Sequence, residues 1–366
     1  MDARIKSGHD GNGTQAVNSL LGNGTMDTLN FQRHGASAML RERVTGRQAW
    51  VRDTLGPADW TVTIPPDCLA ELREALAALR RDPLPLFLLQ PEDFALDGCR
   101  ALMRRVRTML DDGISFAVLD RLPMGEMSRD ESTMLYWLLA SLLARPVAQK
   151  RDGTMLFVVR DTGATLAPGS GIRPTVTNVD LTFHNDNSYN ETPPDYVALF
   201  CQQRAREGGI SRVMSVATVH NELLARPDLL ERLYRPFWYD RHREHAPGEP
   251  STFAAPVFEY DGRLRARLAL LEIGAGYTLR GETIDDEGKA ALEAVRAVFD
   301  RPELRVELDF QPGQIQFVNN RATGHARTNF IDDEAPERRR QLIRLWLRDH
   351  GNRAYRGGKD SINTVI

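Results

Sequence analysis

An α+β fold is predicted by three features of the 366-residue sequence: an amphipathic helical lead-in, a long body of short strand-length runs parted by Gly and Pro turns, and two helical segments set into that body. Near the start, Trp60-Thr-Val-Thr-Ile64 alternates as a short strand does. From Asp67 to Arg81 the apolar residues Leu69, Leu72, Ala75, Leu76 and Leu79 fall on one helical face, with Asp67 placed to cap the first turn. Arg100 to Leu110 repeats the pattern and Gly113 stops it; the arginines between 100 and 107 read as its wet face. Ile114 to Leu119 is an apolar run behind a glycine, expected as a core strand. Helix resumes at Ser128, with Asp130 and Glu131 in its first turn, and ends where Arg145-Pro146 breaks it.

Beyond that break, strand-length pieces follow at Met155 to Val159, Val176 to Phe183, Tyr196 to Gln202, Ser211 to Val216, Phe253 to Tyr260, Leu264 to Leu271, Leu304 to Phe310, Ile315 to Val318 and Gln341 to Leu347. Helical inserts are expected at Thr218 to Tyr234 and Asp285 to Phe299. So many short strands suggest a barrel or a two-sheet jelly roll. The expected organisation is a flexible tail over 1–45, with Met26 and Met39 as alternative starts, then one domain over 46–366 whose helical lead-in spans 46–150 and whose strand-rich core spans 151–350.

Composition narrows the function. Hydrophobic residues at 42% and charged residues at 27% supply a substantial core, and a formal charge of -3 gives no field to attract nucleic acid or an anionic membrane. The longest apolar run, Leu135 to Ala144, is about half of the ~20 residues that a membrane span needs. Residues 1–30 are rich in Gly, Asn, Ser and Thr without the apolar stretch of a secretory signal. Cys68, Cys99 and Cys201 are odd in number and scattered, which argues against a disulfide framework or a zinc finger and for a reducing cytoplasm. The expected partner is a small-molecule substrate, and a homo-oligomer is left open.

The chemistry concentrates in Thr182-Phe-His-Asn-Asp-Asn-Ser-Tyr-Asn-Glu-Thr-Pro-Pro194. His184 and Asp186 stand two apart at a strand end, so both side chains leave one face with Cβ atoms about 6.5 Å apart and can share a metal ion. An imidazole and a carboxylate from one strand end are two parts of the 2-His-1-carboxylate triad that suits non-haem Fe(II) and oxygen. By itself His-x-Asp also fits an ordinary surface turn. A third ligand must be another histidine. His9 and His34 fall in the expected tail, His220 on a helix, His242 and His245 in a charged loop and His350 near the end, which leaves His325, behind the strand entered at Pro312-Gly313.

These residues, with Glu191-Thr-Pro-Pro194, Gly208-Gly209, Ser211, Asn320-Arg321 and the Arg340/Arg344 pair, resemble the taurine dioxygenase (TauD/TfdA) family of Fe(II)- and 2-oxoglutarate-dependent oxygenases. The resemblance runs from about residue 113 to about residue 348 and rests on the order and spacing of the fragments. It implies a double-stranded β-helix (jelly-roll, cupin-like) core with flanking and inserted helices. It implies iron ligands at His184, Asp186 and His325, and a clamp for the distal carboxylate of 2-oxoglutarate at Arg340, assisted by the Ser211 hydroxyl. A planar guanidinium suits that task because it grips a carboxylate through two parallel charge-assisted hydrogen bonds. Arg344, at an even offset from Arg340, is the counterpart of the arginine that holds the substrate's acidic group in the taurine-specific enzyme; pairing with Asp349 or Glu337 is the other reading. Asn185, Asn187 and Tyr189 fall where the family lines its substrate pocket.

The implied reaction consumes Fe(II)-activated O2 and 2-oxoglutarate, releases succinate and CO2 and hydroxylates an unactivated C–H of a small polar or anionic molecule. Desaturation or ring closure stays open, and Asp186 disfavours the halogenating variants. Two departures stand out. The acidic loop Ile331 to Glu337 lengthens the span from His325 to Arg340, which makes Arg338 and Arg339 rivals for the clamp, with strand parity favouring Arg340. Asn185 replaces the family's common threonine, pointing away from taurine as substrate. The rival functions are a zinc hydrolase or isomerase on the same ligands and a non-catalytic 2-oxoglutarate-binding protein.

Overall fold

Four layers stack in this chain: a group of helices, a seven-stranded sheet, a four-stranded sheet and a second group of helices. The computed structural model describes residues 38–165 and 174–349; most of the expected tail, with Met26, His9 and His34, lies outside them, as does His350.

The first helices start where their caps allow. Pro66–Arg81 begins one residue before Asp67 because Pro66 lacks the N–H that a cap would satisfy; Asp67 instead accepts from the Cys68 N–H at 2.9 Å. Asp97–Asp111 starts ahead of the expected Arg100 because Glu71, on the neighbouring helix, accepts from the Gly98 and Cys99 N–H groups at 2.7 and 2.9 Å. A cap supplied by another helix leaves no local trace in sequence. Arg129–Leu143 starts where expected, and Ser128 caps it in a box with Glu131.

These helices cover one face of the large sheet through Ala117, Leu119, Phe200, Phe317 and Leu345. Strand order in that sheet is Thr61–Thr63, Phe116–Asp120, Ile315–Asn319, Tyr196–Gln203, Gln341–Arg348 and Arg145–Val147, with Leu156–Val159 also paired to Gln341–Arg348. Every pair is antiparallel except the first. The opposite face, including Val118, Val197, Val318, Leu342 and Trp346, packs with Val213, Val306 and Leu308 of the small sheet. That sheet runs Arg305–Leu308, Ser211–Ser215, Thr323–Arg327, Leu181–His184, antiparallel throughout. Its outer residues Phe183, Met214 and Ala326 meet the inserted helices, so the two-residue alternation turns His184, Val213 and His325 inward.

Several expected strands are shortened or broken for identifiable reasons. Val176 to Phe183 yields only Leu181–His184, because residues 174–176 form a 3₁₀ turn. Phe253 to Tyr260 divides around Pro256 into Thr252–Ala255 and Phe258–Tyr260. Leu264 to Leu271 is a strand only to Ala266; a helix not anticipated from sequence, Leu270–Arg280, follows and ends at Gly281 in the left-handed region (φ +66°). Gly276 lets that helix lie on the Phe237–Asp240 strand, since a Cβ there would stand 2.5 Å from the Trp238 carbonyl oxygen. Pro227 splits the first insert into Val216–Leu223 and Pro227–Leu233. Among the described residues no helix is long and apolar enough to cross a membrane.

Candidate active site

Register builds the site. In the antiparallel pairing of Leu181–His184 with Thr323–Arg327, His184 stands directly opposite His325, and their ring centroids are 4.4 Å apart. The chain turns just past His184, and Asn320 fixes the turn: its Oδ1 accepts from the Asp186 N–H at 2.8 Å, and its Nδ2 donates to the carbonyls of Asp186 and Pro194 at 2.9 and 3.1 Å. Asp186 Oδ1 thereby lies 3.5 Å from His184 Nε2 and 3.8 Å from His325 Nε2. One potential ligand atom from each of the three side chains lies within 4.8 Å of the others, so one ion can touch them all.

Protonation follows from the surroundings. His184 Nδ1 lies 2.9 Å from the Thr182 carbonyl, which makes it the N–H and leaves Nε2 as the lone pair facing Asp186 and His325. Burial alone would push the Asp186 carboxyl up, but the Arg344 guanidinium and the two imidazoles hold it well below the usual carboxylate range. Burial pulls the His184 imidazole down, and the adjacent Asp186 outweighs it and raises it. His325 goes the other way, lowered by burial and by His184.

Arg344 is not paired with Asp349 or Glu337. Asp349 is taken by Arg107 at 2.7 Å, whereas Arg344 Nη1 donates to Asp186 Oδ1 at 3.2 Å and its Nε donates to Gln149 Oε1 at 2.8 Å. Among the three rival arginines, Arg338 and Arg339 are exposed and bond the Asp333–Glu334 loop, while Arg340 is buried and lines the cavity that His184 and His325 also line. No carboxylate comes within 4 Å of the Arg340 guanidinium among the described residues, and its Nη1 has no hydrogen-bond partner there. Burial, reinforced by Arg327, pulls Arg340 down to about 10. Ser211 lines the same cavity and donates to Gln316 Oε1 at 3.2 Å.

Residues 82–346 match the model of the taurine catabolism dioxygenase TauD, TfdA family. The chain belongs to that family. It is 29% identical over 323 residues to FR-33289 synthase of Streptomyces rubellomurinus (strain ATCC 31215), covering 87% of this chain and 94% of that one. Its fold resembles that of asparagine oxygenase solved with Fe(II), 3-hydroxyasparagine and succinate, at 22% identity and a TM-score of 0.58 over 84% of this chain and 99% of that one. It also resembles the non-heme iron oxygenase OrfP solved with Fe and alpha-ketoglutaric acid, at 16% identity and a TM-score of 0.57 over 83% and 99%.

Within this TauD-family chain, sequence reasoning missed one basic residue at the cavity. Arg327 sits two residues after His325 on the same strand and lines the same cavity. It donates from Nη1 to the Thr177 carbonyl at 3.1 Å and from Nη2 to the Val179 carbonyl, and its buried Nε has no partner among the described residues. Parity with His325 on a strand would have revealed it, but Thr323–Arg327 was not anticipated as a strand. The 241–245 loop is also closer to the site than its charge suggests: Arg241 bonds Asn190 at 2.8 Å, and His242 lies 3.0 Å from Glu272 with its ring edge-on to Tyr189 at 4.9 Å.

The three residues expected to line a substrate pocket separate. Asn185 has its whole amide engaged with main chain, accepting from the Leu268 N–H at 2.8 Å and donating to the Thr323 carbonyl at 3.0 Å, so it braces the Thr323–Arg327 strand. Asn187, in the left-handed region at φ +53°, accepts from Asn190 at 2.7 Å and keeps its buried Nδ2 without a partner among the described residues. Tyr189 is buried beside His242. Asn185→Ala should therefore cost about 2–3 kcal/mol of stability by orphaning two buried backbone groups; urea unfolding checks it, and an unchanged midpoint contradicts it.

Proposed function

We propose that this dioxygenase hydroxylates an unactivated C–H of a small polar or anionic molecule, an amino acid, amine or acid derivative, using Fe(II), 2-oxoglutarate and O2. The donor set fits ferrous iron: two imidazoles from paired strands and one carboxylate from the turn past His184, with one ligand atom of each within reach of a common ion. His184, Asp186 and His325 would hold the ion. When bound, iron and 2-oxoglutarate together reduce O2, so that one oxygen atom enters succinate, with loss of CO2, and the other enters the substrate C–H bond.

One observation carries the reading. The cavity beside the triad holds two buried guanidiniums, Arg340 and Arg327, that no carboxylate of the described residues neutralises within 4 Å. A cavity of that charge fits a dicarboxylate, and a hydrolase on the same three ligands has no use for it. In this reading Arg340 and the Ser211 hydroxyl hold the distal carboxylate, Arg327 closes the cavity against residues 177–179, and Asn187 offers its free amide donor to substrate beside Tyr189.

The two facing, mostly antiparallel sheets support assigning the core as a double-stranded β-helix within a domain of residues 46–366, and the free buried thiols of Cys68, Cys99 and Cys201 suit a reducing cytoplasm. Anaerobic titration with Fe(II) and 2-oxoglutarate should give the weak visible charge-transfer band of a chelate, and admitting air should release succinate slowly without substrate. A missing band overturns the reading; candidate amino acids and acids are then ranked by succinate formed above that uncoupled rate.

A further inference from the structure

Arg344 Nη1 reaches both oxygens of Asp186, Oδ1 at 3.2 Å and Oδ2 at 3.0 Å, but their other neighbours differ. Oδ1 is the one that approaches both imidazoles. Oδ2 accepts from the Trp346 indole N–H at 2.6 Å and lies 3.0 Å from Arg344 Nη1. Both donors stand on the Gln341–Arg348 strand of the facing sheet, where an offset of two places them on one face. Trp346 and Asp186 are 2% and 4% exposed, so water cannot replace the bond. The partners are themselves fixed: Gln149 Oε1 takes Arg344 Nε, while Gln149 Nε2 donates to the carbonyls of Met155 and Arg344, each at 2.8 Å.

Building on the metal reading above, we infer that Trp346 is a positioning residue that makes Asp186 a one-oxygen ligand, by occupying Oδ2 with its single N–H. Two imidazoles and one carboxylate oxygen cover one face of an octahedral ion and leave the opposite face open, with room for a two-point 2-oxo acid and for O2. A carboxylate free to ligate through both oxygens takes one of those positions. Arg344 assists from the same side, so its part here is at the metal carboxylate rather than at a distant structural acid.

The test compares Co(II) binding, followed by visible absorption without oxygen, in the wild type, Trp346→Phe, Trp137→Phe and Asp186→Ala. Trp137 is a matched control: its buried indole donates to the Leu89 carbonyl at 3.1 Å, within the helical lead-in. Trp346→Phe should bind Co(II) about 10- to 100-fold more weakly and with an altered ligand-field spectrum, while Trp137→Phe keeps wild-type affinity and spectrum. Trp346→Phe with wild-type affinity and spectrum overturns the inference. Asp186→Ala binding as tightly as wild type would instead remove the metal reading itself. Should Trp346→Phe not fold, the unmodified chain decides through its five indole N–H resonances: one must move on saturation with Zn(II), and five unmoved signals overturn the proposal.

Discussion

Asp186→Ala should abolish divalent-ion binding and succinate release together, and should also destabilise the metal-free protein. The second effect separates this position from an ordinary ligand. Asp186 is the only carboxylate of the described residues within 4 Å of the buried Arg344 guanidinium, so removing it strands that charge. Breaking a buried pair from one side costs about 3–5 kcal/mol, because the remaining ion stays desolvated. The Trp346 N–H loses its acceptor in the same step. Adding Arg344→Met to Asp186→Ala should recover much of the stability and none of the activity, a non-additivity expected of neighbours that share one interaction. Thermal unfolding of the four proteins in the cycle, beside succinate assays, checks both halves. Additive stability effects would mean that Arg344 finds another partner; residual turnover would mean that the triad does not hold the iron.

The three candidate ligand residues could be picked out of the sequence because their constraint is local. His184 and Asp186 sit two apart at a strand end, and a polar run leads to His325, so residue type and spacing carried the chemistry. What placed them together was not local. The opposition of His184 to His325 is a register between segments 141 positions apart, and Asn320 holds the Asp186 turn across a similar span. The same limit explains the partner of Arg344: a search along the sequence for a nearby acid offers Asp349 and Glu337, whereas sheet packing delivers Asp186 from the facing layer. Asn185 reads as pocket-lining from its neighbours in sequence, but its amide is spent on Leu268 and Thr323. Helices were found where apolar spacing and caps lie in one segment, as at Arg129–Leu143. They were missed or shifted where the deciding contact is distant: Gly276 seats Leu270–Arg280 on the Phe237–Asp240 strand, and another helix's Glu71 sets the start of Asp97–Asp111.

Arg340→Met should raise the 2-oxoglutarate requirement steeply and, at the same time, make the cosubstrate-free protein more stable. The loss follows from the clamp: removing one side of a buried, hydrogen-bonded charge pair costs on the order of 2–5 kcal/mol, or roughly 30-fold and upward in affinity. The gain follows from what surrounds the guanidinium before the dicarboxylate arrives. Arg340 is 5% exposed, its Nη1 has no partner among the described residues, and Arg327 repels it. An apolar side chain of similar length removes that uncompensated charge, and such replacements are often neutral or stabilising. Cosubstrate should then stabilise the two proteins unequally. At a concentration 100 times its dissociation constant a ligand adds about 2.7 kcal/mol, so saturating 2-oxoglutarate with Co(II) should raise the wild-type melting temperature by several degrees and leave the Arg340→Met value nearly still. Arg340→Lys keeps the charge without the two-point grip and should fall between them in cosubstrate affinity while keeping the stability deficit of the wild type. If Arg340→Met melts lower than wild type without cosubstrate, the guanidinium has a structural partner; if its 2-oxoglutarate affinity is unchanged, the clamp belongs to Arg327, which lines the same cavity and whose buried Nε has no partner among the described residues.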